Sequence, residues 1–370
     1  MVVESLLLLT LSAPPTGAPS HAETTLRTHC LMWAADPGNP WALAHGAKTF
    51  GPSFLASDGR TALEVVFHDF LLQNRAPDGG VGAGAPYGFL RYSEARTPIE
   101  PHTNLNLKAF VADVRMPLKT RVKTRWGSVT LGQLLDSTRL GFRHVPGSAQ
   151  YWQDVGWTLS LFAATHQPGA TWKTPDGTVK LDQVFDDALS ELEKETEALQ
   201  HGLDAQLPQV PKRKQGLYAH ACGGLHFVQG VLSWARHPAV RKKWGARIDR
   251  QVAVHFYRLE SERAQYDAAL QETLRAYPQY KLQVLVQMVK FYGHWLETVA
   301  HFRDELKWKP DELQQVAINR ARAYLDVAVR ALEAEKAFEQ MPELQQRAPQ
   351  VYLDLIGDAC HAAHGLAAFR

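Results

Sequence analysis

The chain has 370 residues, 45% hydrophobic and 21% charged, which is enough apolar material for a large folded core. Forty Lys and Arg face 38 Asp and Glu, leaving a net charge of +2. That balance lacks the basic excess that marks a nucleic-acid binder. Nowhere do 18 apolar residues follow one another, so no integral membrane segment is expected.

The first 22 residues, MVVESLLLLTLSAPPTGAPSHA, carry an apolar stretch at 6–11, then Pro and Gly, then Ser20-His21-Ala22. This is similar to a secretory signal peptide with a small-residue cleavage site. Glu4 and the absence of Lys or Arg before Arg27 depart from the usual basic front end. The expectation is a signal peptide over 1–22 and a single helical-repeat domain over 23–370. A periplasmic or extracellular location follows, or a cytoplasmic one if the segment is not a signal. The three cysteines, Cys30, Cys222 and Cys360, allow one bridge plus a free thiol, or three buried thiols.

Helical periodicity dominates the rest, and strand signal is sparse. WALAHGAKTFG (41–51) precedes DGRTALEVVFHDFL (58–71), and WTLSLFAATHQ (157–167) precedes DGTVKLDQVFDDAL (176–189). Each reads as a Trp-led apolar helix, an Asp-Gly turn and an amphipathic helix. WGSVTLGQLLDSTRL (126–140) matches the second half, with Gly127, Val129, Leu131, Gln133 and Asp136 fifty positions before their counterparts. A loop insertion at 73–103 is rich in Gly and Pro; it reads as a lid or as a plain surface excursion. Residues 280–306 are largely apolar, and 309–338 are amphipathic with Pro310 suited to a first turn.

This alternation of apolar and amphipathic helices resembles the α/α-toroid superfamily. The expected fold is therefore all-α, with helical hairpins stacked as an α/α toroid or a solenoid. The superfamily includes polysaccharide-active enzymes, terpenoid cyclases and lanthionine cyclases. In such a ring the inner helices converge on a central cavity.

Two stretches could supply chemistry there. YAHACGGLHFVQG (218–230) and GDACHAAHGL (357–366) both contain Ala-Cys-x-x-x-His. If each lies on one helix face, Cys222, His226, Cys360 and His364 offer two thiols and two imidazoles, a common zinc set. His220 or His361 could substitute for a member or extend the set. The toroid resemblance adds His45 and His220 to a polar cavity. Lanthionine cyclases have a Cys-His-Gly element, but Cys360-His361 is followed here by Ala362. The alternatives are a metal-free cavity or close helix packing.

EPHTNLNLK (100–108) follows the loop. Toroid polysaccharide lyases use Asn, His, Tyr and Arg, and Asn104, His102, Tyr92 and Arg91 resemble that set in residue type. Thr103 or Asn104 could instead cap a helix beginning near Leu105. Asp186, Asp187 and Glu191 lack the final acid of the terpene-cyclase Asp-Asp-x-x-Asp pattern and read as a solvated face. The functional expectation is an enzyme, a lyase or hydrolase, acting on a small molecule, a glycan or another cell-envelope compound. The alternative is a non-catalytic scaffold gripping a partner with a concave face.

Overall fold

The computed structural model describes residues 17–74 and 86–370. The apolar run 6–11 and the glycine-rich centre of the loop, 75–85, lie outside the described residues. The described chain is mostly helical. Its helices are α1 (His21–Trp33), α2 (Pro40–Phe50), α3 (Ala62–Val65), α4 (Leu105–Lys108), α5 (Leu131–Gly141), α6 (Ala149–Thr165) and α7 (Leu181–Glu195). There follow α8 (Glu197–Asp204), α9 (Leu225–Leu232), α10 (Pro238–Ala276), α11 (Lys281–Leu306), α12 (Glu312–Ala334), α13 (Met341–Arg347) and α14 (Pro349–Ala367). Both α3 and α4 continue as a wider π turn, Val66–Phe70 and Ala109–Asp113.

Local chemistry sets the boundaries. Ser20, Thr61, Thr130 and Asp311 each accept the amide of a residue in the first turn of the helix they open, satisfying donors that the helix cannot. Ala22 is fully buried one residue into α1, so cleavage there would cut inside a packed helix.

Few strands are expected, yet two short antiparallel hairpins stand out. β3 (Arg121–Thr124) pairs with β4 (Gly127–Thr130), and β5 (Thr171–Thr174) with β6 (Gly177–Lys180), in the same register fifty residues apart. Each is only four residues per strand, too short for alternation to stand out against helical periodicity. Each nonetheless buries one face, Val122 and Val129 in the first and Trp172 and Val179 in the second. Each then leads directly into an amphipathic helix, α5 or α7. The Asp58-Gly59 turn, closed by a Leu55–Thr61 bridge, leads in the same way into α3. The remaining pair, β1 (Leu72–Gln73) with β2 (Tyr87–Gly88), closes the base of the long loop.

The helices that matter for function pack in sequence: α2 on α4, α4 on α6, α6 on α9, α9 on α11, α11 on α14, and α14 back on α2. The approach is closest where side chains vanish. A Cβ on Gly230 of α9 would come within 2.3 Å of the Gly156 carbonyl oxygen of α6. A Cβ on Gly365 of α14 would lie 2.8 Å from the Glu297 amide of α11. The polar contents of these six elements follow one rule. In each, lower-numbered residues line one cavity and residues a turn or two later line a second, opposite cavity. The six therefore run in the same direction past these two cavities. Cys30 and Cys360 form a disulfide joining α1 to α14 across 330 residues.

Candidate functional site

Three helices deliver their polar residues with the same spacing. Positions i, i+4, i+7 and i+11 are Cys222, His226, Gln229 and Ser233 at α9. They are Lys290, His294, Glu297 and His301 on α11. On α14 the first three are Asp354, Asp358 and His361. On α11 and α14 that spacing keeps one stripe of a 3.6-residue helix facing the same way, while Cys222 reaches the same level from the turn before α9. From α2 come His45 and Lys48, from α4 Lys108, and from α6 Trp157 and Ser160.

The cavity at the N-terminal ends of these elements has a volume of about 340 Å³. Its floor is a packed group of imidazoles. The His226 ring lies 5.0 Å from those of His294 and His361, His294 lies 4.1 Å from His361, and His45 lies 4.9 Å from His361. Its rim is aromatic: Trp41, Tyr92, and His102 stacked on Trp157 at 3.9 Å. Cys222, Lys290, Asp354 and Asp358 complete the wall.

Hydrogen bonding fixes the imidazole tautomers. A carbonyl or carboxylate oxygen can only accept, so the nitrogen facing it carries the proton. His45 Nδ1 donates to Trp41 O at 2.7 Å and His294 Nδ1 to Lys290 O at 2.9 Å. His361 Nδ1 donates to Glu297 Oε2 at 2.9 Å. Among the described residues none of the three Nε2 atoms has a hydrogen-bond partner, and His294 Nε2 is buried. Glu297 also receives Lys48 Nζ at 2.7 Å and His364 Nδ1 at 3.1 Å.

Burial pushes the Glu297 carboxyl up, but His361 and Lys48 outweigh it and hold the group well below the usual carboxylate range. Burial lowers His45 and His294 to about 4 and takes His226 and His361 well below the ordinary histidine value. The site therefore holds neutral imidazoles at neutral pH. Burial pushes Asp358 well above its usual value against the pull of the Lys290 ammonium, which lies 3.8 Å from its Oδ2. Asp354 takes the nearby Lys290 ammonium at 2.9 Å. Burial also raises the Cys222 thiol to about 12.

These depressed histidines predict acid lability. The unfolded chain binds protons below pH 6.5, whereas folded His45, His294 and His301 bind them only near pH 4, and His255 near 3. Stability is full above pH 6.5 and is lost as the pH falls through about 4. Each tenfold weakening of proton binding on folding corresponds to about 1.4 kcal/mol, so the loss should reach several kcal/mol. Asp358, Glu100 and Asp267, shifted upward, act in the opposite sense but are outnumbered by the lowered histidines, which also include His226 and His361. Urea midpoints measured at pH 7, 5.5 and 4.5 should fall steadily; a flat profile would show that these rings are not held neutral.

The sequence expectations meet the structure unevenly. His45, His102, Cys222 and His226 do line the cavity. The set Cys222, His226, Cys360 and His364 does not converge. Cys360 lies one residue before the inward stripe of α14, turns about 100° away, and is bonded to Cys30. His364 sits at the opposite cavity, 41% exposed, against Glu297. His361 takes the place expected of His364. Cys222 is not on the helix that carries His226: it adopts a left-handed conformation (φ 51°) in the turn before α9. His220 faces away from the cavity, with its Nε2 2.5 Å from Glu195.

Asn104 neither caps α4 nor reaches the imidazoles. It sits at φ 65° and its amide bridges Thr158 and Thr138. That bridge lies in a neighbouring groove with Glu100, whose carboxyl burial raises to about 8. Arg91 shares this groove and contacts Asp154, whereas Tyr92 faces the imidazole cavity. Asp186 and Asp187 are engaged by Lys243, Trp244 and His144 on the outside. The motifs do not single out His294, Glu297 or Asp358, although their i, i+4, i+7 spacing within apolar helices is a readable signal.

The chain matches no protein-family model, and no curated protein or solved structure is significantly similar to it.

Proposed function

We propose that the chain is an exported α/α toroid whose imidazole-floored cavity is an active site for acid–base cleavage of a cell-envelope glycan. The observation that carries this reading is a pair of carboxyl groups driven in opposite directions around His361: Asp358 on the wall of the imidazole cavity, and Glu297 behind the ring, at the opposite cavity. Glu297 lies well below the usual carboxylate range and orients His361, while burial pushes Asp358, three residues before His361 on the same helix, well above it. Carboxyl groups separated in this way mark acid and base roles. His361 Nε2 is the base: it takes a proton from water in a hydrolase, or from carbon in a lyase. Asp358 gives its proton to the leaving oxygen. Glu297 keeps the His361 ring in the productive tautomer and stabilises the imidazolium as it forms.

The glycan class is supported by the rim. Trp41 and Tyr92 offer flat apolar faces above a floor of hydrogen-bonding groups, which suits a sugar ring with one apolar and several polar edges. The ring reading is supported by the six co-directional elements and by the return of α14 onto α2. Export is supported by the signal-like leader and by the Cys30–Cys360 disulfide, a bond that persists in oxidising compartments.

The test is conversion. Cell-envelope glycan fragments, including uronate-containing ones, are incubated with the protein and the products are read by mass spectrometry. Wild type should cleave at least one class, with a water added by a hydrolase or an unsaturated end left by a lyase. His361→Asn should fold and lose at least about 100-fold in rate, the scale of a general base. No cleavage of any class, or cleavage undiminished in the variant, would defeat the proposal.

A further inference from the structure

The geometry points to a mononuclear zinc site in this cavity, formed by Cys222, His226 and His294 with a fourth position open to the cavity. One ligand atom from each of the three lies within 4.8 Å of the other two. Around a tetrahedral zinc the donor atoms lie about 3.5 Å apart, so the closure needed is about an ångström. Cys222 can supply it: it is held in a left-handed turn beside Gly223 and Gly224, not inside a helix.

An independent observation aims at the same point. His294 is fully buried, its Nδ1 is committed to the Lys290 carbonyl, and its Nε2 has no hydrogen-bond partner among the described residues. A buried lone pair left unmatched is costly, and a metal ion is one thing that satisfies it. Among the described residues no hydrogen bond reaches the His226 ring, which lies beside it. The Nδ1–H···O=C bond of His294 is the type of outer contact that fixes a metal-bound imidazole.

One thiolate and two imidazoles form a borderline-soft donor set that suits zinc over magnesium or calcium. Three protein ligands with one open position is the pattern of a catalytic rather than a structural site. The neighbouring lysines do not forbid a cation. Lys48 is paired with Glu297, Lys108 with Asp113 at 2.8 Å, and Lys290 with Asp354. The open position would face the cavity into which His361 presents its free Nε2, so a water or substrate oxygen on the metal would sit beside the proposed base.

This inference rests on the proposed working cavity for its role, but its test needs no substrate. Full-length protein stripped with a chelator is titrated with cobalt(II), then with zinc as competitor. Wild type should bind one cobalt per chain with a thiolate-to-metal charge-transfer band in the near ultraviolet, and zinc should displace it. Cys222→Ser should lose that band and bind at least tenfold more weakly. His294→Ala should weaken binding likewise; because His294 is fully buried, the conservative Cys222→Ser carries the result if His294→Ala misfolds. His301→Asn, at the opposite cavity, should bind as wild type does. No stoichiometric binding by wild type, or a Cys222→Ser variant that binds equally well, overturns the site. Metal binding without glycan cleavage would uphold the zinc site and defeat the proposed function; cleavage without metal binding would do the reverse.

Discussion

Glu297→Gln should destabilise the protein by about 3–5 kcal/mol, the cost of leaving a buried cation without its partner. Lys48 is 9% exposed and its ammonium has Glu297 Oε1 at 2.7 Å. The glutamine keeps the shape but removes the charge that balances Lys48 and orders His361 and His364. Adding Lys48→Met should recover most of the loss, because a matched pair of neutral groups no longer strands a charge. Activity should not return with stability, since the His361 tautomer still lacks its carboxylate. Urea denaturation of the single and double variants checks this. A single variant within about 1 kcal/mol of wild type would mean that the carboxylate is not the hub of the network.

The second large effect lies at the disulfide. Cys30→Ala with Cys360→Ala should cost about 6 kcal/mol if the unfolded chain gains the full entropy of an opened loop, and less if that chain retains structure. The bridge closes a span of 330 residues and ties α1 against α14. Both sulfurs lie in the core, so alanine introduces no buried polar group. A reducing agent should lower the melting temperature of wild type to that of the double variant and leave the variant unchanged. Equal stability with and without reductant in wild type would show that the bridge is not formed or not needed.

The helical class was legible from periodicity, because a 3.6-residue apolar repeat survives in sequence whatever the tertiary context. The hairpin-plus-helix repeat at 126–140 and 176–189 was legible as similarity, while its strands were hidden by their shortness. The site was legible in part. His45, His102, Cys222 and His226 were found because histidine and cysteine in apolar runs are conspicuous. Cys360 and His364 were misplaced because a shared Cys-x-x-x-His spacing says nothing about which helix face looks inward. A shift of one residue, from Cys360 to His361, rotates a side chain by about 100°. It separates a disulfide from the cavity floor. Cys222 further escaped the helical assumption because its glycine neighbours put it in a left-handed turn before α9 begins. The lysines, Glu297 and Asp358 were passed over as ordinary charges, since only their burial gives them unusual protonation.

The central claim is that the work is done at the cavity where the imidazoles meet and not at the one on the opposite face. The glycan-conversion assay decides it when His361→Asn and His301→Asn are run side by side. His301 lines the opposite cavity, where its Nε2 meets Ser233 Oγ at 3.0 Å. The account predicts a loss of at least about 100-fold in His361→Asn and a rate within a few-fold of wild type in His301→Asn. Full activity in His361→Asn with loss in His301→Asn would place the chemistry on the other face and contradict it.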